Sequence, residues 1–261
     1  MLIALTREVP KSISRCELTH LSRSPIDLDV ARSQHKAYED ALACAGCTIR
    51  RLPAADDLPD SVFVEDTAVV LDQVAVITRP GAPSRRRETA SVAAALREER
   101  ELTFIEAPAT VDGGDVLRAG RTVFVGQSSR TNAAGFRQLS DSLSRHGYAV
   151  RPVTPRGCLH LKSAVTAFTE DGVVLNPEWV DASSFSGLKM IHVDPSEPFA
   201  ANVVRVGEVV LCAAAFPRTA LLLQEAGMDV RMVDVSELAK AEGALTCCSV
   251  IVALAGQPAP A

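Results

Sequence analysis

One pattern recurs along this chain: two short apolar strands around a polar turn, a helical stretch, then a third short strand. From Asp66 it reads TAVVLDQVAVIT, then RRRETASVAAALREER, then ELTFIEAP. From Asp115 it reads VLRAGRTVFVG with Gly120 in the turn. RTNAAGFRQLSDSLSRHG follows, with Phe136, Leu139 and Leu143 at helical spacing before a stop at Gly147, and then YAVRPV. From Ser163, AVTAFTEDGVVLN carries Asp171-Gly172, a pair suited to a hairpin turn. The helix of that unit shrinks to DASSFSG, and its closing strand is KMIHVD. From Asn202, VVRVGEVVLCAAAF precedes PRTALLLQEAG, with Pro217 placed for a first helical turn, and DVRMVDV. Ser249 opens VIVALAG, and there the pattern breaks off.

The missing pieces stand at the other end of the chain, as LIALTRE, DVARSQHKAYEDALACAG and CTIRRLP. Five units therefore fit, opening at 66, 115, 163, 202 and 249, about 40 to 50 residues apart, the spacing of propellers and repeat arrays. A unit assembled from both termini predicts a closed ring, because the two chain ends must share one sheet. The competing expectation is an ordinary α/β sandwich with accidental regularity. With 261 residues, 47% of them hydrophobic, the chain can bury a full core. We expect a single α/β domain over residues 1–255, followed by a disordered tail at 256–261, GQPAPA.

A net charge of −5 argues against nucleic acid and anionic membrane surfaces as partners. No apolar run reaches the roughly 18 residues of a membrane span. The start, MLIALTREVPKS, lacks the pattern of a secretory signal, so the seven cysteines are expected to be free thiols in a reducing, cytoplasmic setting. Cys44 and Cys47 form C-A-G-C, but this overlaps a helix end at Gly46 and has no second pair to complete a zinc cage. Cys212 lies in an apolar run and reads as core.

A ring would bring every unit opening to its centre. The openings read FVED (63–66), DGGD (112–115), LHLKS (159–163), AAN (200–202) and TCCS (246–249). A cysteine nucleophile needs a base or cation nearby, and among the histidines only His160 stands at an opening. His35 is expected on a helix surface, His146 at a helix end and His192 inside a strand. The acids Asp60, Glu65, Asp66 and Asp112 would oppose a thiolate and a negative tetrahedral intermediate. They make sense beside a cationic substrate, and a planar guanidinium matches carboxylates two bonds at a time. A solvated acidic loop is the plainer account of LPDSVFVED taken alone. Arg79, Arg85, Arg86, Arg87 and Arg130 follow hairpins at loop-to-helix junctions, where an anion can also meet free backbone N–H groups.

At these residues the chain resembles the dimethylarginine dimethylaminohydrolases of the guanidine-modifying superfamily. The stretches that carry the resemblance are LPDSVFVEDTAVV, ITRPGAPSRRRE, DGGDVLRAGRTVFVGQSSRTN, LHLKS and GALTCCSV, in the family's order, over about Leu18 to Val252. The resemblance implies the five-bladed pentein α/β-propeller of ββαβ units, in agreement with the units counted above. It implies a nucleophile at Cys247, a general acid/base at His160 and an orienting carboxylate at Asp112. Guanidinium contacts would fall on Asp60, Glu65 and Asp66, carboxylate contacts on Arg85 and Arg130, and backbone contacts to the substrate's amino end on Leu18 and Ala241. Glu65 and Asp66 are neighbours whose side chains should diverge, and Asp66 is the stronger candidate. Cys248 should point away from Cys247, into packing.

The implied reaction is hydrolysis of Nω-methylated arginine to citrulline and a methylamine through a covalent S-alkylthiouronium. It takes a small-molecule substrate and no cofactor. No metal is required, although zinc could inhibit at Cys247. A homodimer is compatible with the resemblance. Two departures stand out: Asp112 where some bacterial members carry Glu, and the small Ala241 where a branched residue is common. Arginine deiminases, agmatine deiminases and amidinotransferases share the chemistry. A non-catalytic propeller that binds other macromolecules is the reading from a different class, disfavoured by Cys247, His160 and the acids together.

Overall fold

Each strand expected from the five openings is present in the computed structural model, which describes residues 1–254. The expected tail at 256–261 lies outside the described residues. Five three-stranded sheets share one topology, in which the middle strand runs antiparallel to the opening strand and parallel to the closing strand. Parallel neighbours need a crossover, and the helices supply it. Thr89–Leu96, Ala133–Ser144 and Pro217–Glu225 serve three units. In the unit with the shortened helix, a single 3-10 turn, Ala182–Phe185, suffices.

The split unit closes as predicted. Leu2–Arg7 pairs antiparallel with Val250–Ala253 and parallel with Cys47–Leu52, and Leu28–Cys44 is the crossover helix. Asp27 caps that helix by accepting the N–H groups of Asp29 and Val30. Gly46 ends it with φ +104°, the left-handed conformation that favours glycine.

Alternation of side chains along the strands builds five apolar cores, one between each pair of neighbouring units. Ile3 and Leu5 pack with Ala75 and Ile77, whereas Ala4 and Cys47 pack with Val204 and Leu211 on the other face. Val76 joins Val116, Val123 and Val125, and Leu117 and Phe124 join Val165 and Val173. Phe168 and Val174 join Val203, Val210 and Cys212. Each unit thus contributes to two cores, and the fifth core returns to the first unit. Burial on both faces explains why the strands read as continuous apolar runs. His35 departs from expectation: it is buried on the inner side of its helix, 3.7 Å from Glu39 Oε1, and burial lowers its pKa to about 4.

Candidate active site

At four of the openings a short helical turn precedes the first strand: Val64–Thr67, Gly113–Asp115, Leu161–Ala164 and Thr246–Cys248. Such turns rotate neighbouring side chains by about 120°, so adjacent residues face different surroundings. Cys247 and Cys248 therefore diverge, though in a turn and not in a strand. Cys248 is fully buried in an apolar core, its thiol directed to the carbonyl of Ala244 at 3.4 Å. Cys247 is half-buried and lines a small cavity with Asp60, Asp66, Arg85, Arg130, His160 and Ala241.

His160 sits immediately before the turn Leu161–Ala164. Its Nε2 meets Asp112 Oδ2 at 3.0 Å, and its Nδ1 lies 3.8 Å from Asp66 Oδ1. Asp112 is itself fixed: Gly81 N–H donates to its Oδ1 at 2.8 Å, and its own N–H donates to Thr131 Oγ1. Gly114 N–H donates to Asp66 Oδ1 at 3.0 Å, and Arg85 Nη1 donates to Asp66 Oδ2. A Cβ at Gly114 would stand 2.7 Å from His160 Nδ1, so only glycine fits between the imidazole and Asp66.

Glu65 turns the other way. Its carboxylate accepts Lys162 Nζ at 2.6 Å and Thr246 Oγ1 at 2.7 Å, and it lines a separate cavity of about 120 Å³. Asn202 Nδ2 donates to Thr246 Oγ1 and to the Lys162 carbonyl, which ties a further unit opening to this cluster. Asp66, not Glu65, faces the cysteine cavity.

Arg85 is buried and its donors are engaged: Nε and Nη2 donate to Glu88, Nη1 to Asp66, and Nη2 also to the carbonyls of Phe63 and Asp60. Arg130 is half-buried, with Nη2 donating to Thr19 Oγ1 at 3.0 Å. Asp60 accepts the N–H of Glu17 through both oxygens at 3.2 Å. Leu18 is half-buried against an apolar core, between the two residues so held. Gly81, Glu88, Gly114, Lys162 and Thr246, together with Glu242 at the cavity wall, are the parts of this arrangement to which the sequence alone assigns no role.

Burial pushes the Cys247 thiol far above its ordinary range, and the charges of Glu65 and Asp66 push it further. Burial opposes a charged His160, yet Asp66 and the bond to Asp112 raise its pKa to about 9. Burial would raise Asp66, but His160 and Arg85 hold it at about 2. At neutral pH the site therefore pairs a thiol with an imidazolium and an aspartate. Among the described residues, Asp66, Asp112 and His160 are the group whose ligand atoms, all within 4.8 Å of one another, could hold a metal ion.

Comparison with known proteins places the chain in a family. The sequence profile of the arginine deiminase family matches residues 28–210. The chain is 42% identical, over 95% of both chains, to an N(G),N(G)-dimethylarginine dimethylaminohydrolase of Streptomyces coelicolor. It is 36% identical to one of Pseudomonas aeruginosa, over 88% of this chain and 91% of that one. A solved structure of DDAH from Pseudomonas aeruginosa, a cysteine-to-serine mutant complexed with citrulline, superimposes with a TM-score of 0.91. That match has 34% identity and covers 95% of this chain and 98% of the other.

Proposed function

Since the chain belongs to the arginine deiminase family, and within it to the dimethylarginine dimethylaminohydrolases, we propose that it hydrolyses Nω-methylated arginine to citrulline and a methylamine. One observation carries the assignment of roles: Cys247 and His160 line one acid-walled cavity, with His160 held between Asp112 and Asp66.

The acids that disfavour a thiolate in the free site favour a guanidinium. A bound cation offsets the repulsion of Asp66, so Cys247 loses its proton to solvent as substrate binds. The thiolate attacks the guanidinium carbon. His160, already an imidazolium, gives its proton to the departing methylamine, and the C–N bond breaks to leave the S-alkylthiouronium. Neutral His160 then takes a proton from water, which adds to the same carbon. As the adduct collapses, its hydroxyl proton passes to the departing sulfur, which restores the Cys247 thiol, releases citrulline and leaves His160 protonated. Asp112 keeps the imidazole aligned throughout. Asp60 stands beside the guanidinium pocket, Arg130 takes the substrate carboxylate, and Arg85 joins it once it exchanges one of its present acceptors. The scheme routes no step through a metal or cofactor; zinc at Cys247 would act as an inhibitor that a chelator reverses. All seven cysteines are free thiols.

The test measures citrulline released from asymmetric dimethylarginine, monomethylarginine, arginine and agmatine in parallel. Methylated arginine should give the highest kcat/KM, and Cys247→Ser should lower it by about 10³-fold or more. Fastest release from arginine would reassign the substrate, and undiminished turnover in Cys247→Ser would remove the covalent scheme.

A further inference from the structure

Glu242 is the one non-glycine residue with positive φ among the described residues, at φ 57°. That conformation crowds any side chain with a Cβ, so its retention calls for a reason. Part of the reason is local: a Cβ at Gly243 would stand 2.2 Å from the Phe63 ring, so the backbone here is pressed against a neighbour and has little freedom. The rest lies in what the carboxylate reaches. It accepts the N–H groups of three successive residues, Thr19 at 3.0 Å, His20 at 2.6 Å and Leu21 at 2.6 Å.

We propose that Glu242 is the positioning residue that latches residues 19–21 beside the substrate pocket. Packing does little of this work. Leu21 is 45% exposed, and His20 and Leu21 roof an apolar cavity of about 300 Å³. The polar contacts are concentrated: Glu242 on the backbone, and Arg130 on Thr19 Oγ1. Hydrogen bonds to a carboxylate are the strong kind, and three from consecutive amides fix both position and direction.

Glu242 lines both the cavity around Cys247 and the apolar cavity beside it, so the latch stands at the edge of the proposed substrate pocket. The cavity around Cys247 measures about 20 Å³, room for roughly one water. Glu17, Asp60, Arg130 and Glu242 stand at its walls. An amino acid bearing a guanidinium requires these walls to part, and the loop of residues 17–21 is held between Asp60 at one end and Glu242 at the other. Because Leu18 lies between those anchors, release of Glu242 also loosens the backbone expected to meet the substrate's amino end. This role rests on the functional reading above.

Glu242→Gly removes the carboxylate and at the same time relaxes the positive φ, so the change is not expected to unfold the protein. Glu242→Gln keeps one acceptor oxygen without the charge. In Glu242→Gly, tryptic cleavage after Arg23 should be about tenfold faster or more, and KM for dimethylarginine should rise about tenfold, with kcat within about threefold of wild type. Glu242→Gln should fall between the two. Cleavage and KM at wild-type values in the glycine variant would overturn the proposal, as would a fall in kcat with cleavage unchanged. The cleavage comparison does not depend on turnover. If the wild-type protein leaves methylated arginine untouched, the functional reading fails while the latch is still decided.

Discussion

A single methyl group added at Gly114 would meet His160 Nδ1 at 2.7 Å and Asp66 Oδ1 at 2.9 Å, closer than real Cβ atoms come. Displacing the ring by even part of an ångström would misalign the proton donor proposed above. Gly114→Ala is therefore expected to lower kcat by about 10²-fold with an unchanged circular dichroism spectrum, and steady-state kinetics on the purified variant would show it. Unaltered kcat would mean that the imidazole has more room than the geometry allows. The sequence singles out Cys247, His160, Asp66 and Asp112 as candidates because they carry chemistry and stand at unit openings, and the fold brings them together. It did not point at their supports. The glycines of DGGD look like turn residues. Glu88 looks like one more charge on a helix start, yet it is buried against Arg85 and burial raises its pKa to about 7. Glu242 reads as one acid among KAEGAL, and nothing in that stretch announces the loop more than 200 residues away that it holds. Sequence shows what a side chain is; what faces it is set by the fold.

The elements most poorly legible are the short helical turns at the unit openings, since three or four residues carry no periodicity to read. The strands and crossover helices, with their apolar spacing and glycine stops, lie where the pattern placed them. The turns matter because they decide which of two neighbouring residues enters the site. They also bind one another near the point where the units converge: Lys162 from one turn donates to Glu65 from another, and Thr246 from a third donates to the same carboxylate. Burial raises the pKa of Glu65, and Lys162 counters it. Replacing Lys162 by Met leaves that carboxylate with one neutral donor. Urea denaturation at neutral pH should then show a loss of about 3–5 kcal/mol. Adding Glu65→Gln should recover more than half of it, because the amide oxygen can still accept from Thr246. If the double variant is no more stable than the single one, the pair is not what unites these turns.

At the scale of the whole molecule, the split unit constrained the fold most, since a strand from each terminus had to meet in one sheet, and the five cores then follow from alternation around the ring. Convergence of the units concentrates charge, and that charge makes stability depend on pH with a sign the site determines. His160 is raised from 6.5 to about 9 in the folded chain. A raised pKa means that the folded state holds the proton more tightly, so its contribution is complete below pH 6.5 and is lost as pH climbs through 9. At about 1.4 kcal/mol per pH unit, the loss is on the order of 3 kcal/mol. Asp66 behaves oppositely: lowered from 3.8 to about 2, it contributes above pH 3.8 and its contribution disappears as pH falls through 2. Glu88, raised from 4.5 to about 7, loses its own contribution as pH rises from 4.5 through 7, and is still half protonated at pH 7. From pH 7 to 9 Glu88 and the buried thiols also contribute, so the imidazole is isolated by comparing two proteins that share those groups. Urea midpoints measured from pH 7 to 9 should fall more steeply for the wild-type protein than for His160→Gln. Equal slopes in the two proteins would place the proton somewhere other than the ring that the mechanism requires to carry it.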